Sequence, residues 1–155
     1  MLLKDIIRGM KVIEKPENPD LEIKDLTYDS RKVQPGSLFV AIRGLKFDGH
    51  RFIPDAIKNG ASAIISERDM TKPIKAENIK VTDSRRALAV ASDNFHNNPS
   101  RKMLLIGVTG TDGKTSTCRL IHAACSRKGE TGLMGTVGHI IMGKEITAGR
   151  TTPEA

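Results

Sequence analysis

A glycine-rich segment between an apolar run and a helix-like stretch constrains the fold more than any other feature of this chain. Residues 103–108 form an uninterrupted apolar run, as in the buried strands of parallel sheets. The run leads directly into the glycine-rich residues 109–116. A helix is predicted from there to about Lys128, followed by Gly129. Strand, glycine loop and helix in this order are typical of a phosphate-binding loop in an α/β fold.

The residue types in this loop suit the binding of phosphate groups. Gly110 and Gly113 let backbone N–H groups approach phosphate oxygens that a side chain would exclude. Lys114 adds a positive charge at the start of the helix, whose N-terminus also favours anions. Thr115 carries the hydroxyl that phosphate loops use to hold Mg²⁺. The alternative interpretation is a glycine-rich turn that happens to contain a lysine.

Two positions depart from the general pattern G-x-x-x-x-G-K-[ST]. The pattern places its first glycine at the position of Val108, whereas Gly107 lies one residue early. Asp112 adds a negative charge, which would repel phosphate unless it points outward or towards a bound Mg²⁺. An unrelated phosphate-loop NTPase is a second alternative, and the position of Gly107 argues against it.

The first 96 residues alternate between strand-like and helix-like segments, which predicts a compact α/β domain. Strands are predicted at 21–28, 38–42 and 61–65. One helix is predicted around Phe52, Ile53, Ala56 and Ile57, with Gly60 directly after it. A second helix is predicted with Asp83 or Ser84 as its N-cap and an apolar stripe of Leu88, Ala91 and Phe95.

A polar segment at 96–102, which contains Pro99, separates two regions of different glycine content. The first 100 residues contain 5 of the 14 glycines and the last 55 contain the other 9. We therefore predict one domain at 1–98 and a second at 99–155. The second domain is expected to be incomplete, because one strand, one helix and a hairpin near Gly143 do not make a doubly wound domain.

Composition narrows the partners and the compartment. The net charge of +7 is spread along the chain, and only one Tyr and no Trp are present, so small phosphorylated ligands are favoured over nucleic acid. No apolar run is long enough to span a membrane, and an acid at Asp5 argues against a signal peptide. Cys118 and Cys125 are predicted to be reduced core thiols beside Ile121, about 10.5 Å apart along the helix. A cytoplasmic monomer is expected.

Several motifs in order along nearly the whole chain resemble the Mur ligase family, the ATP-dependent amide-forming enzymes of peptidoglycan precursor synthesis. The loop from Gly110 to Thr115 is similar to the family's ATP loop. The upstream segments that resemble its UDP-binding domain are Tyr28-Asp29-Ser30-Arg31, residues 35–41 and residues 44–49. Asp-Ser-Arg, residues 134–138 and Thr151-Thr152-Pro153-Glu154 favour the MurE-type branch. The MurF-type branch, which adds D-Ala-D-Ala, is the nearest alternative.

The resemblance implies an α/β UDP-binding domain followed by the first strand, phosphate loop and helix of an α/β ATPase domain. It also implies a ligase that adds meso-diaminopimelate or L-lysine to UDP-N-acetylmuramoyl-L-Ala-D-Glu, through an acyl phosphate formed with ATP and Mg²⁺. The remaining catalytic machinery is expected beyond Ala155, so this chain is predicted to bind nucleotide or UDP-sugar without turning over. A non-catalytic UDP-sugar-binding or nucleotide-binding module is a further alternative.

The resemblance also implies roles for individual residues. Tyr28 and Ser30 match residues that line the uridine site. Thr151 and Thr152 match residues that contact the sugar-peptide substrate. Three residues match a short loop that closes over the nucleotide: Leu45, Lys46 and Phe47. Seven residues match the ATP loop, with Lys114 stabilising the transferred phosphoryl group and Thr115 holding Mg²⁺: Gly110, Thr111, Asp112, Gly113, Lys114, Thr115 and Ser116.

Each of these assignments has a purely structural alternative. Ser30 and Arg31 could end a strand in a turn, with Arg31 paired to Asp29 at the surface, where an ion pair contributes little. Lys46 could be a solvated loop charge, and Thr151-Thr152 an extended tail. The four histidines show no metal-ligand spacing, which favours structural or surface roles: His50, His96, His122 and His139.

Overall fold

The computed structural model describes residues 1–44, 48–70 and 75–147. The chain forms two units that divide between Met103 and Leu104. None of the helices in the described ranges is both long enough and apolar enough to cross a membrane. The predicted boundary after residue 98 remains a prediction.

The first unit contains a five-stranded sheet in the order β1-β5-β4-β3-β2. Strands β2, β3, β4 and β5 run parallel to one another, and β1 pairs antiparallel with β5. The carboxyl ends of the four parallel strands therefore lie at one edge of the sheet, where open α/β sheets bind their ligands. The strands are β1 (Val12–Glu14), β2 (Asp25–Thr27), β3 (Ser37–Val40), β4 (Ala61–Ser66) and β5 (Glu77–Val81).

Three α-helices and three 3₁₀ turns complete the first unit. Asp83 caps the longest helix by accepting a hydrogen bond from the Arg86 N–H at 3.0 Å, which confirms the predicted N-cap. Pro54 lies in the first turn of its helix, where a missing N–H costs nothing. The helices are α1 (Leu3–Ile6), α2 (Ile53–Lys58) and α3 (Ser84–Phe95), and the 3₁₀ turns are Ser30–Lys32, Gly49–Phe52 and Pro99–Lys102.

Gly60 ends α2 in a conformation that requires glycine. Its φ of +100° lies in the left-handed region, as expected for the residue after a C-cap. A Cβ at this position would also lie 2.9 Å from the Pro35 Cα. The Gly60 carbonyl accepts a hydrogen bond from the Gly36 N–H at 3.0 Å. The end of α2 is thus seated against the turn before β3.

Buried clusters cover both faces of the sheet. Successive residues of a strand point to opposite faces, so one strand contributes to both clusters. Leu38 and Val40 of β3 belong to one buried cluster, which also includes residues of α1 and α3. Phe39, between them, belongs to a second cluster that includes Ile53 and Ala56 of α2. All four residues of β3 are buried, which agrees with its place inside a parallel sheet. The structure is therefore a three-layered α/β unit.

The predicted strands agree with the structure where apolar residues are dense. The 61–65 strand is β4, and the 38–42 strand is β3, shifted to begin at Ser37. The 21–28 strand is shorter than predicted, because only Asp25–Thr27 pairs in the sheet while Glu22 forms an isolated bridge with Leu2. Strands β1 and β5 were not predicted. Each is short and mixes apolar with polar or charged residues, and they lie at or next to an edge of the sheet.

The second unit contains one helix and a small antiparallel sheet. Helix α4 spans Lys114–Cys125, and the strands are β6 (Leu133–Met134), β7 (His139–Ile141) and β8 (Lys144–Ile146), in that spatial order. The predicted hairpin is confirmed, because Met142 and Gly143 both have positive φ in the turn between β7 and β8.

Two predictions about the second unit are wrong. The apolar run at 103–108 does not form a strand, and Leu104 is 85% exposed. A parallel strand requires a hydrogen-bonded neighbour, and no described strand pairs with this run. Cys118 and Cys125 are free thiols, but both are half-exposed rather than in a core. None of the residues 104–147 is buried, so this unit has no core of its own.

We expect the stability of the first unit to depend on its sheet core. Ile65 of β4 is fully buried in the larger cluster, so Ile65→Ala should lower the free energy of unfolding by about 2–5 kcal/mol. The control is Ile13→Ala in β1, which removes the same atoms from a residue that is 54% exposed and should cost about 0.5 kcal/mol or less. Urea unfolding followed by circular dichroism measures both. Equal losses would contradict the position of the core.

Candidate functional site

The phosphate-loop candidate has the backbone geometry that anion binding requires. Gly113 has a φ of +73° and directly precedes α4, and Gly110 has a φ of +155°. No heavy atom lies within 4 Å of a Cβ built on Gly113, so its positive φ and not a lack of space favours glycine here. The first helical hydrogen bond runs from the Thr117 N–H to the Gly113 carbonyl at 2.9 Å. The N–H groups of residues 114–116 precede this bond, so the helix itself does not use them.

Lys114 is held inside this loop by the loop's own carbonyl groups. Its Nζ donates to the Gly110 carbonyl at 2.6 Å and to the Thr111 carbonyl at 3.0 Å. The ammonium group is therefore folded back over the turn, next to the free N–H groups of α4. A phosphate in the loop would place its oxygens near both kinds of donor.

Three other residues of the loop fit a magnesium nucleotide. Thr115 and Ser116 lie in the first turn of α4, and both are exposed. Asp112 is exposed, and among the described residues its side chain forms no hydrogen bond or ion pair. Hydroxyl and carboxylate oxygens are the ligands that Mg²⁺ prefers. The donor set is thus compatible with Mg²⁺ beside a bound phosphate.

In the first unit, Tyr28 directly follows β2 at the carboxyl edge of the sheet, and Ser30 begins the 3₁₀ turn on the connection to β3. Asp29 shapes this segment by capping the 3₁₀ turn Ser30–Lys32, where its carboxylate accepts from the Arg31 N–H at 3.1 Å. The Asp29 N–H donates to Thr27 Oγ1 at 3.1 Å. Tyr28 is 45% exposed. Tyr28 and Ser30 thus lie close together on the connection between β2 and β3.

Arg31 does not project into this edge as a free cation, because it pairs with Asp29. Its Nε donates to Asp29 Oδ1 at 2.9 Å and its Nη2 to Asp29 Oδ2 at 2.7 Å. These hydrogen bonds lower the pKa of Asp29 to about 2. Asp29 consequently remains a carboxylate and continues to accept the turn's hydrogen bonds at neutral pH. The alternative in which Arg31 pairs with Asp29 at the surface is therefore the one that the structure shows.

A second set of contacts, missed in the sequence, fixes the segment after β3. The ring of His50 is buried, its Nε2 accepts from the Glu67 N–H at 3.0 Å, and its Nδ1 therefore donates to Asp48 at 2.6 Å. Asp48 also accepts from Arg68 Nη2 at 2.5 Å. Burial would raise the pKa of Asp48, but the His50 hydrogen bonds and the Arg68 charge hold it below its ordinary value. His50 thus has a structural role, and spacing alone does not reveal its distant partner.

Gly49 explains why the segment approaches β3 so closely. A Cβ at Gly49 would lie 2.6 Å from the Ile42 carbonyl oxygen, and the Gly49 N–H donates to that oxygen at 2.8 Å. The remaining predicted contacts lie outside the described residues: Leu45, Lys46, Phe47, Thr151 and Thr152.

The Asp29–Arg31 pair generates a direct prediction. We expect Arg31→Ala to raise the pKa of Asp29 from about 2 towards its ordinary 3.8, because the variant lacks both guanidinium hydrogen bonds. The pair's contribution to stability should be present above pH about 4 and lost as the pH falls towards 2, since the folded-state pKa is the lower one. Carboxyl-detected NMR titration measures the shift, with the exposed Arg86→Ala as the control. An unchanged Asp29 pKa in Arg31→Ala would contradict the assignment.

Comparisons with known proteins match both units. Residues 22–96 match the family model described as "Mur ligase family, catalytic domain", and residues 108–155 match the "Mur ligase middle domain". The chain is 44% identical over its whole length to the UDP-N-acetylmuramoyl-L-alanyl-D-glutamate–2,6-diaminopimelate ligase of Clostridioides difficile. It spans 32% of that protein's length, so the relatives are about three times longer.

Two solved structures are also similar. A structure of a UDP-N-acetylmuramoyl-L-alanyl-D-glutamate–2,6-diaminopimelate ligase covers 94% of this chain with a TM-score of 0.67 and 24% identity, and the match spans 29% of that structure. The MurF ligase of Thermotoga maritima in complex with ADP is 34% identical with a TM-score of 0.51, over 70% of this chain and 25% of the other. The two Mur ligase family models match 123 of the 155 residues, in the same order along the chain, and show that the chain belongs to the Mur ligase family.

Proposed function

We propose that the chain supplies the UDP-sugar-binding domain, residues 1–98, and the start of the ATP-binding domain, residues 99–155, of a MurE-type ligase. That ligase would add a diamino acid, meso-diaminopimelate or L-lysine, to UDP-N-acetylmuramoyl-L-Ala-D-Glu. The observation that carries the proposal is the phosphate loop, where a left-handed Gly113, the start of α4 and the Lys114 ammonium group converge. The name of the C. difficile relative supports the choice of substrate.

The loop residues would bind ATP through its phosphates. Backbone N–H groups at the start of α4 and Lys114 would neutralise the charge of the transferred phosphoryl group, which is the main electrostatic demand of phosphoryl transfer. Thr115 would hold Mg²⁺, and the ion would supply further charge neutralisation. The similar MurF ligase structure is a complex with ADP, which supports an adenine nucleotide as the ligand. Lys114 would have to exchange its hydrogen bonds to Gly110 and Thr111 for bonds to phosphate.

The nucleotide-sugar would bind at the carboxyl edge of the first sheet. Tyr28 offers a half-exposed ring, and the Ser30 hydroxyl has no hydrogen-bond partner among the described residues. A hydroxyl on a fixed turn and an aromatic face together suit a nucleobase and its ribose. Leu45, Lys46 and Phe47 are proposed to contact the same nucleotide, and Thr151 and Thr152 the sugar-peptide. The protein would act in the cytoplasm as a monomer.

The relatives favour the MurE-type branch over the MurF type. Relatives that cover the whole chain at 40–44% identity are named diaminopimelate ligases. Since the chain spans only about a third of their length and its second unit has no buried core, we propose that these 155 residues bind ligands without catalysing ligation.

Isothermal titration calorimetry tests the proposal. The chain should bind UDP-N-acetylmuramoyl-L-Ala-D-Glu and UDP, because the complete first unit carries the proposed UDP-sugar site. In a separate assay of ADP release, adding the UDP-sugar substrate and a diamino acid should not make the chain release ADP from ATP. A chain that binds ATP but ignores both uridine ligands would instead be a generic phosphate-loop protein, and substrate-dependent ADP release would contradict the proposed lack of turnover.

Lys114 provides a separate prediction for the second unit. Lys114→Ala should raise the dissociation constant for Mg-ATP by about ten- to a hundredfold, which corresponds to the loss of charge-assisted hydrogen bonds. UDP binding should not change, since Lys114 lies in the other unit. Lys128→Ala, which removes an exposed lysine after the other end of α4, is the matched control. Equal effects of the two variants would argue against a specific role for Lys114.

A further inference from the structure

Asn59 contacts the Ser30 turn across a sequence separation of 29 residues. Its Nδ2 donates to the Ser30 carbonyl at 3.0 Å. Asn59 is the C-cap of α2, and its own N–H donates to the Asp55 carbonyl at 2.9 Å. The side chain is therefore not needed to end the helix and is available for the turn after β2.

The position of Asn59 is itself fixed by the following residue. Gly60 packs against the Pro35 backbone and accepts a hydrogen bond from Gly36, so the end of α2 has little room to move relative to the segment before β3. The position of the Asn59 Nδ2 donor is thus fixed by contacts between α2 and the segment before β3.

The backbone of the Ser30 turn is held by several hydrogen bonds. Asp29 accepts from Arg31, the Lys32 N–H donates to the Asp29 carbonyl at 2.9 Å, and Asn59 binds the Ser30 carbonyl. The Ser30 hydroxyl has no hydrogen-bond partner in the described part of the chain. A hydroxyl on a turn that is fixed in this way is pre-organised to bind a ligand, because binding then costs less ordering entropy.

The geometry points to Asn59 as a positioning residue for the nucleotide end of the substrate. It fixes the Ser30 backbone from outside the turn, so that the Ser30 hydroxyl is held in one position. Asn59 does not itself need to touch the ligand. This inference rests on the proposed function, since it concerns the same uridine site.

A double-mutant cycle on the whole chain, with UDP as the ligand, tests the inference. Asn59→Ala should weaken UDP binding by about three- to tenfold, the range expected for one net hydrogen bond. Ser30→Ala should weaken binding by about tenfold. In the Ser30→Ala background, Asn59→Ala should have no further effect, because its action passes through Ser30. Asn59→Asp, which keeps the shape but lacks the donor, should behave like Asn59→Ala.

Asn18→Ala is the matched control, since Asn18 is an exposed asparagine in the loop between β1 and β2. It should leave UDP binding unchanged. Circular dichroism at the titration temperature confirms that each variant is folded, and unfolding midpoints are measured on the same samples. A purely structural Asn59 would lower the midpoint without changing the affinity of the folded chain for UDP.

The outcomes separate the two claims. Failure of the wild-type chain to bind UDP would overturn the proposed function and this inference with it. Binding by the wild type that Asn59→Ala leaves unchanged would overturn only this inference. Equal losses from Asn59→Ala in the wild-type and Ser30→Ala backgrounds would also overturn it, because Asn59 would then act independently of Ser30.

Discussion

The parallel pairing of β3 between β2 and β4 is the constraint on which the first unit depends. It buries all four residues of β3 and divides them between two clusters, so that helices must cover both faces. With the parallel β4–β5 pair, it also directs the carboxyl ends of β2 to β5 to one edge, where Tyr28 follows β2 and His50 contacts Glu67 after β4. The proposed uridine site is therefore a consequence of how the sheet is assembled.

The two units differ in what holds their candidate sites together. In the first, turns are tied across long sequence separations, as between Asn59 and Ser30 or between His50 and Glu67. In the second, the loop's shape is local, because it depends on two glycines with positive φ and on a lysine that folds back onto its own turn. This difference explains how a phosphate-loop geometry can exist in a unit where none of the described residues, 104–147, is buried.

Local signals predicted a large part of the structure correctly. Asp83 caps α3, Gly60 follows α2 and Gly143 lies in a hairpin turn, because caps and turns are determined by residues within a few positions of each other. The strands β1 and β5 could not be predicted, since their mixed composition becomes strand-like only when they pair with each other and with β4. The apolar run at 103–108 shows the reverse case, because strand-forming residues remain unpaired without a neighbouring strand.

The residue types of the phosphate loop, the resemblance to the Mur ligases and the order of the two regions could all be read from the sequence. These depend on residues that are close together along the chain. The folded structure was needed to show that Arg31 is paired with Asp29, that His50 accepts from the Glu67 N–H just after β4, and that Asn59 binds the Ser30 carbonyl. The physical reason is that these contacts depend on side-chain geometry or on chain segments brought together by the sheet, and neither can be inferred from local spacing.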